Sequence, residues 1–349
     1  MTHAHAAVAK NIKSVVHNMS IQKAATIIQK GGLVAFPTET VYGLGADGFN
    51  PDAVKSIYNA KGRPGDNPLI YHIAKLEDIY QLTDNLPDYA LALAKQHWPG
   101  PLTLVVSKKP GLPAWLGGHP DNITNTIGVR MPNCPQALEF IQATGTIIAA
   151  PSANKSGKPS PTSSAHVLDD FLVPEEIDMV LEAASIVKVG LESTVIDATG
   201  PEPVILRPGA VTHHMMSIEA DQTSLGLAPR SPGTKYKHYA PKAPMILLDG
   251  NPQNIAWYIS QQSKYGARTG LYITQAVANL LPPQLIEAAT FIQLEEDVAK
   301  VGQNLFATLR HFDKFPLQNI YVQAVDKAGI GTAVMDRMSK AADGNILHL

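Results

Sequence analysis

The sequence predicts an α/β protein in two units, the second smaller than the first and doubly wound. Three observations predict this. Short apolar runs alternate with helical or turn-rich segments from residue 15 to residue 216, the rhythm of interleaved strands and helices. Residues 217–243, which contain DQTSLGLAPRSPGTKYKHYAPKA, lose apolar periodicity and fill with Pro, Gly, Lys and Tyr, the composition of a linker. Residues 244–349 then return strand and helix in strict turn, over a length that suits one small domain.

Each element has its own signal. Ser20 can cap a helix whose apolar face is Ile21, Ala24, Ala25 and Ile28, with Gly31 as its stop. LVAFP follows as a buried strand. Asn50 and Pro51 suit the start of a second helix running toward Tyr58. LIYHIA, LTLVVS, TIIAAP, MVLEA and STVIDA are further short strands. In the second unit, MILLDG leads to a helix near 252–264 and TGLYIT to one near 276–288. TFIQL leads to a helix near 295–314, and NIYVQ to one near 331–342. Periodicity places these strands along the chain, not across a sheet.

Composition excludes several functions. The 349 residues are 45% hydrophobic and 17% charged, enough to bury sizeable cores. A net charge of −2 gives no global pull toward nucleic acid or a membrane surface, while a local basic cleft remains compatible with it. Cys134 is the single cysteine, which rules out an internal disulfide and a cysteine-based zinc site and suits a reducing, cytoplasmic setting. No apolar run reaches the roughly 18 residues needed to cross a bilayer. The first residues have no acid before Glu39 but also no arginine and no apolar core, so neither a transit peptide nor a signal peptide is expected. His3 and His5 read as part of a disordered terminus, not a chelating pair.

The chemistry-bearing residues cluster at strand ends. GLGADG (Gly43, Gly45, Gly48) matches G-x-G-x-x-G. It is not a dinucleotide fingerprint, because PTETVY separates it from the preceding strand and no acid ends the next strand; the glycines instead permit a tight backbone path. No P-loop motif occurs. PTETVY puts Thr38, Glu39, Thr40 and Tyr42 directly after a buried strand, where ligands tend to bind in open sheets; a turn satisfying its own backbone is the plainer alternative. KGRPGDNPL holds Lys61 and Arg63 in a loop stiffened by Pro64 and Pro68. A planar fork beside a point charge suits phosphate, and solvated surface cations are the alternative. Arg130 ends an apolar strand and needs an anion, either a core carboxylate or a ligand.

APSANKSGKPSPTSS is rich in hydroxyls and backbone N–H groups that suit phosphate and ribose oxygens. Ser193 and Thr194 start one strand and Arg207 ends another, while His72 inside LIYHIA reads by itself as a satisfied core histidine. H-E-x-x-H and G-x-S-x-G are both missing and no histidines have ligand spacing. What recurs is hydroxyls with Arg and Lys. That suits chemistry in which the protein positions and neutralises phosphate without supplying a covalent group.

AFPTETVYGLG, AKGRPGDNPLIYHI, WPGPLTLV, GVRMP, APSAN with PSPT, ESTVID and LRPG occur in one order, which resembles the YrdC-like family. The linker SPGTKYKHYAP and the trailing α/β unit resemble its long, two-domain form. The resemblance spans residues 15–345, with one small departure at Asp336, where the family more often has Asn. It implies a YrdC-like twisted open α/β sheet over 15–216, a linker folding as a lid over 217–243, and a Rossmann-like domain over 244–349.

It also implies a nucleotidyltransferase that condenses L-threonine, bicarbonate and ATP into L-threonylcarbamoyladenylate and pyrophosphate for tRNA modification. The threonine contacts carry over to Thr40, His72, Arg130 and Ser193. The ATP contacts carry over to Arg63, Asn67, Thr126, Ala150, Ser152, Ser160, Arg207 and Tyr236. Lys61 and Arg63 would be catalytic, and Mg²⁺ would be bound through the triphosphate, with no protein metal site. Lys235, Tyr236, Lys237 and His238 would close over ATP. Partners would be the downstream threonylcarbamoyl transferase machinery and tRNA, with no membrane.

Two rival readings remain at this point. One is an RNA-binding module, disfavoured by the near-neutral charge and by the lack of aromatics interleaved with basic residues. The other is a different ATP-dependent carbamoyl transfer, as in related domains of hydrogenase-maturation proteins, whose companion acylphosphatase and zinc-finger segments are not seen here.

Overall fold

The structure, a computed structural model, describes residues 19–184, 187–218, 238–262 and 268–349. The chain opens with α1 (19–29), which buries Ile21, Ala24, Ala25 and Ile28 as the 3.6-residue spacing requires. Ser20 is the second described residue of this helix. Gly31 ends it at φ +84°, a conformation open to glycine.

Strand β1 (Val34–Phe36) pairs antiparallel with β2 (Gly43–Asp47). The GLGAD stretch is thus a strand, and its glycines serve packing: a Cβ on Gly45 would meet Ile148 at 2.8 Å and Phe36 at 3.0 Å. Helix α2 (Pro51–Lys61) is capped by the Asn50 side chain and stopped by Gly62 at φ 60°. After it come β3 (Ile70–His72), α3 (Asp88–His97), β4 (Leu102–Ser107) and β5 (Thr126–Arg130). Next are α4 (Pro135–Thr144), β6 (Ile148–Ala149), α5 (Ser164–Leu168), β7 (Met179–Val180), β8 (Thr194–Asp197), β9 (Val204–Arg207) and α6 (His213–Met216). MVLEA and TIIAAP keep only two strand residues each.

The first nine strands form one mixed sheet in the order β7-β1-β2-β6-β3-β5-β4-β8-β9. Side chains on β1 alternate between two cores: Ala35 belongs to one cluster, Val34 and Phe36 to another. The sheet is therefore covered on both faces.

The second unit runs β10 (Met245–Asp249), α7 (Pro252–Gln262), β11 (Thr269–Ile273), α8 (Gln275–Ala278), α9 (Pro283–Ala288) and β12 (Thr290–Gln293). It ends with α10 (Val298–Phe312), β13 (Asn319–Gln323), α11 (Gly331–Ala341) and β14 (Ile346–His348). All its strand pairs are parallel, in the order β12-β11-β13-β10-β14. Leu247 and Val322 face one core while Leu248 and Tyr321 face the other, which makes the unit doubly wound. The helix expected near 276–288 is broken in two at Pro282 and Pro283, which lack the N–H that a continuous helix needs. The two units share a core. Val41 and Leu191 of the first pack among Leu305, Phe306 and Val334 of the second. No helix among the described residues is long and apolar enough to cross a membrane.

Candidate active site

One corner of the site is built where β3 and β5 end together. Their parallel register sets His72 opposite Arg130. Arg130, almost fully buried, donates from Nη1 to Thr40 Oγ1 at 2.8 Å and from Nε to the Gly100 carbonyl at 3.3 Å. Its Nη2 lies 2.8 Å from Glu39 Oε2, yet neither atom has an aligned hydrogen-bond partner. The contact is one of charge, and Glu39 is the core carboxylate that a strand-end arginine calls for. Thr40 is fixed by Thr38, whose Oγ1 sits 2.8 Å from Thr40 Oγ1 and donates to the Val41 carbonyl at 2.6 Å. His72 lies with Phe36 edge-on at 5.9 Å, and its Nδ1 is 3.2 Å from the Ile70 carbonyl. Burial and then the Arg130 charge drive its pKa down to about 3, so the ring is neutral at physiological pH. Ser193 Oγ pairs with Thr103 Oγ1 at 2.7 Å.

The cation loop forms a second wall. Because Gly62 turns the chain out of α2, Lys61 points back into the protein. Its Nζ donates to the carbonyls of Ser152, at 2.5 Å, and Asn154. Arg63 donates to the carbonyls of Asn67 at 3.1 Å and Pro68 at 2.8 Å, while the Tyr58 hydroxyl donates to Asn67 O at 3.0 Å. Both cations are held by backbone dipoles. Burial pushes the Lys61 pKa well down, with Arg63 adding to the shift, and burial lowers that of Arg63 to about 10. An arriving anion would reverse both shifts.

The serine-rich loop closes the site. It is zipped to β2 and the turn before it: Ala153 N donates to Tyr42 O at 2.8 Å, and Tyr42 N to Pro161 O at 2.8 Å. Ser160 Oγ donates to Glu192 Oε1 at 2.6 Å. Arg207 donates from Nε and Nη2 to Ser193 O at 3.1 and 2.8 Å, and from Nη2 to Ser193 Oγ at 3.2 Å.

One cavity collects these groups. Thr40, His72, Arg130 and Ser193 line it, and so do Lys61, Arg63, Ala150, Ser152, Ser160 and Arg207. Asn67 and Thr126 are not in its wall. Asn67 is a buried member of the cation loop, and Thr126 begins β5, opposite Ser107 and at the far end of the strand from Arg130. Tyr236 lies outside the described residues, as do Lys235, Lys237, His3 and His5. His238 does line the cavity, and burial, reinforced by Arg63, brings its pKa to about 4. Sequence reasoning missed Glu192 and Tyr239. Glu192 was within reach as an acid beside Ser193 in an apolar run. Arg337, bonded to Glu192, gave no signal, because an arginine on an amphipathic helix reads as solvent-facing.

Fold and site together define a two-domain α/β protein with a cleft lined by buried cations and hydroxyls. Its relatives give that class a family. Residues 26–209 match the Sua5–YciO–YrdC family model, described as "Telomere recombination". Residues 192–343 match the model described as "Threonylcarbamoyl-AMP synthase, C-terminal domain". The chain is 39% identical over 353 residues to the threonylcarbamoyl-AMP synthase of Pyrococcus abyssi, covering 97% of this chain and 98% of that protein. It is 40% identical over 336 residues to the Bacillus subtilis enzyme of the same name, covering 94% of each. The solved structure of Pyrococcus abyssi Sua5 complexed with L-threonine matches with a TM-score of 0.83 at 38% identity, covering 94% of this chain and 96% of that one. The chain belongs to the threonylcarbamoyl-AMP synthase family.

Proposed function

We propose that the protein is a threonylcarbamoyl-AMP synthase that condenses L-threonine, bicarbonate and ATP to L-threonylcarbamoyladenylate and pyrophosphate. One observation carries the reading: a single cavity joins an arginine–hydroxyl–imidazole corner to a wall of Lys61, Arg63 and Arg207. The first suits a hydroxy-amino acid and the second a triphosphate. The likeness to a relative solved with L-threonine supports the same reading.

Arg130 lines the cavity, and its guanidinium, held by Thr40, Gly100 and Glu39, attracts the threonine carboxylate. Neutral His72 and the Thr40 and Ser193 hydroxyls bond the threonine side chain. Discrimination against serine is modest, since one methyl is worth roughly 1–3 kcal/mol. The threonine amine attacks bicarbonate, forming the C–N bond of a carbamate as water leaves. A carbamate oxygen then attacks the α-phosphorus, and the bond to the pyrophosphate oxygen breaks. Lys61 and Arg63 stabilise the charge that gathers on the leaving pyrophosphate. The protein forms no covalent bond to substrate.

Among the described residues no group of three or more His, Cys, Asp and Glu could hold a metal ion. Glu192 is already bonded to Ser160 and Arg337. Mg²⁺, carried on the triphosphate, would offset its charge. The linker is read as a lid, a reading supported at its described end, where Ala240 N donates to Gly157 O of the serine loop at 3.1 Å. The product goes to a transferase that modifies tRNA.

The test is pyrophosphate release with ATP and Mg²⁺, with threonine and bicarbonate each supplied and withheld. Release is expected only with both. Release without threonine would assign the scaffold another acceptor. No release, with salt-sensitive RNA binding in its place, would restore the binding-module reading.

A further inference from the structure

Glu192 is the only carboxylate among the described residues that line the cavity. Every substrate in the proposed reaction carries a negatively charged group and must enter the cavity that Glu192 lines, so an uncompensated Glu192 would oppose binding. Part of its compensation comes from Arg207 and Ser160 of its own unit, and the largest charged part from the other unit. Arg337 of α11 has no solvent exposure. It donates from Nε to Glu192 Oε2 at 3.0 Å and from Nη1 to the Pro208 carbonyl at 2.8 Å, and Nη2 reaches the Glu192 carbonyl at 3.5 Å. Asp336 Oδ2, 2.7 Å from Nη1, steadies the guanidinium from the far side, and Lys340 bonds Asp336 in turn. Glu192 precedes Ser193, Pro208 follows Arg207, and Ser160 donates to Glu192. One guanidinium therefore touches the segments that carry two candidate binding residues, Ser193 and Arg207, and reaches a third, Ser160, through Glu192.

Resting on the synthase reading, we propose that Arg337 is a positioning residue for the reaction: it neutralises Glu192 so that the cavity admits ATP. The second unit is then part of the active site's charge balance. Arg337 itself touches no substrate. Burial favours the uncharged carboxyl of Glu192, but Arg337, Arg207 and hydrogen bonds from Ser160 and the backbone together outweigh it and keep the group ionised, so removing Arg337 leaves a buried charge less compensated within the cavity.

The experiment compares full-length wild type, R337Q, R337K and the double variant E192Q/R337Q. Each is measured by steady-state pyrophosphate release and by calorimetric titration with ATP, after a thermal melt has confirmed folding. R337Q should raise the KM and Kd for ATP at least tenfold. R337K, which keeps the charge, should lie within about threefold of wild type, since tenfold is already about 1.4 kcal/mol. E192Q/R337Q, with both charges gone, should return to within about threefold as well. If R337Q does not fold, the double variant decides alone: near-wild-type ATP binding supports neutralisation, and a tenfold loss overturns it. A folded R337Q that binds ATP as wild type does would also overturn it. Wild type that binds ATP but shows no release dependent on threonine and bicarbonate would refute the synthase reading instead, leaving calorimetry to judge Arg337.

Discussion

His72 shows how far a single residue's surroundings shift its role. In the sequence it is one apolar-flanked histidine, and in the fold it is a neutral ring pressed between Phe36 and Arg130. The pKa falls from about 6.5 in the unfolded chain to about 3 in the folded one. The unfolded state therefore binds more protons between those values, and stability is full above about 6.5 and lost as pH falls toward 3. His166 and His238, each lowered to about 4, act in the same direction. Urea midpoints should decline as pH falls below about 6.5, and H72Q should make that decline shallower. An unchanged slope would remove His72 from the account. At Arg130 the expectation is kinetic: R130A should raise the KM for threonine by two orders of magnitude or more, as loss of a charged hydrogen bond of about 1.5–3 kcal/mol is joined by an orphaned Glu39. A threonine titration of the folded variant checks it.

Among the elements, the legible ones were those whose signal is local. Asn50-Pro51 opening α2 and the strands bearing Arg130 and Arg207 all stand as read. Strand β2 was read as a glycine-rich path because its reason lies elsewhere, in Phe36 and Ile148 packed against its bare Cα atoms. Strand order was hidden for the same cause, since β2 pairs with β6 a hundred residues on. G45A should lower stability by about 1–3 kcal/mol through overpacking, and it should weaken threonine binding because Phe36 also braces His72. Melting temperature and threonine titration check both. For the linker, deletion of GTKYKHY should abolish product formation while the first unit's fold, read by its circular dichroism, persists. Full activity in that deletion would exclude a lid.

At the scale of the whole molecule, the division into two units was legible from the composition change at 217–243, but their union was not. Nothing in the MDRMSKAA stretch announces that Arg337 belongs to a cavity in the other unit. The same is true of Arg310, which donates to the Pro159 carbonyl at 3.0 and 2.6 Å and to Asp170 at 2.8 Å. Such pairs join residues more than a hundred positions apart, and amphipathic periodicity is blind to them. Val41 and Leu191, at 6% and 0% exposure, add roughly 1.5–3 kcal/mol each to the same junction. This shared core has a mechanical consequence. A protease cut between residues 219 and 237 would break the polypeptide without parting its halves, because packing and buried ion pairs hold them, not the covalent tether. The two pieces, made as separate chains, should find one another and elute as a single one-to-one complex from a sizing column, with R310A and R337A in the smaller piece loosening their grip.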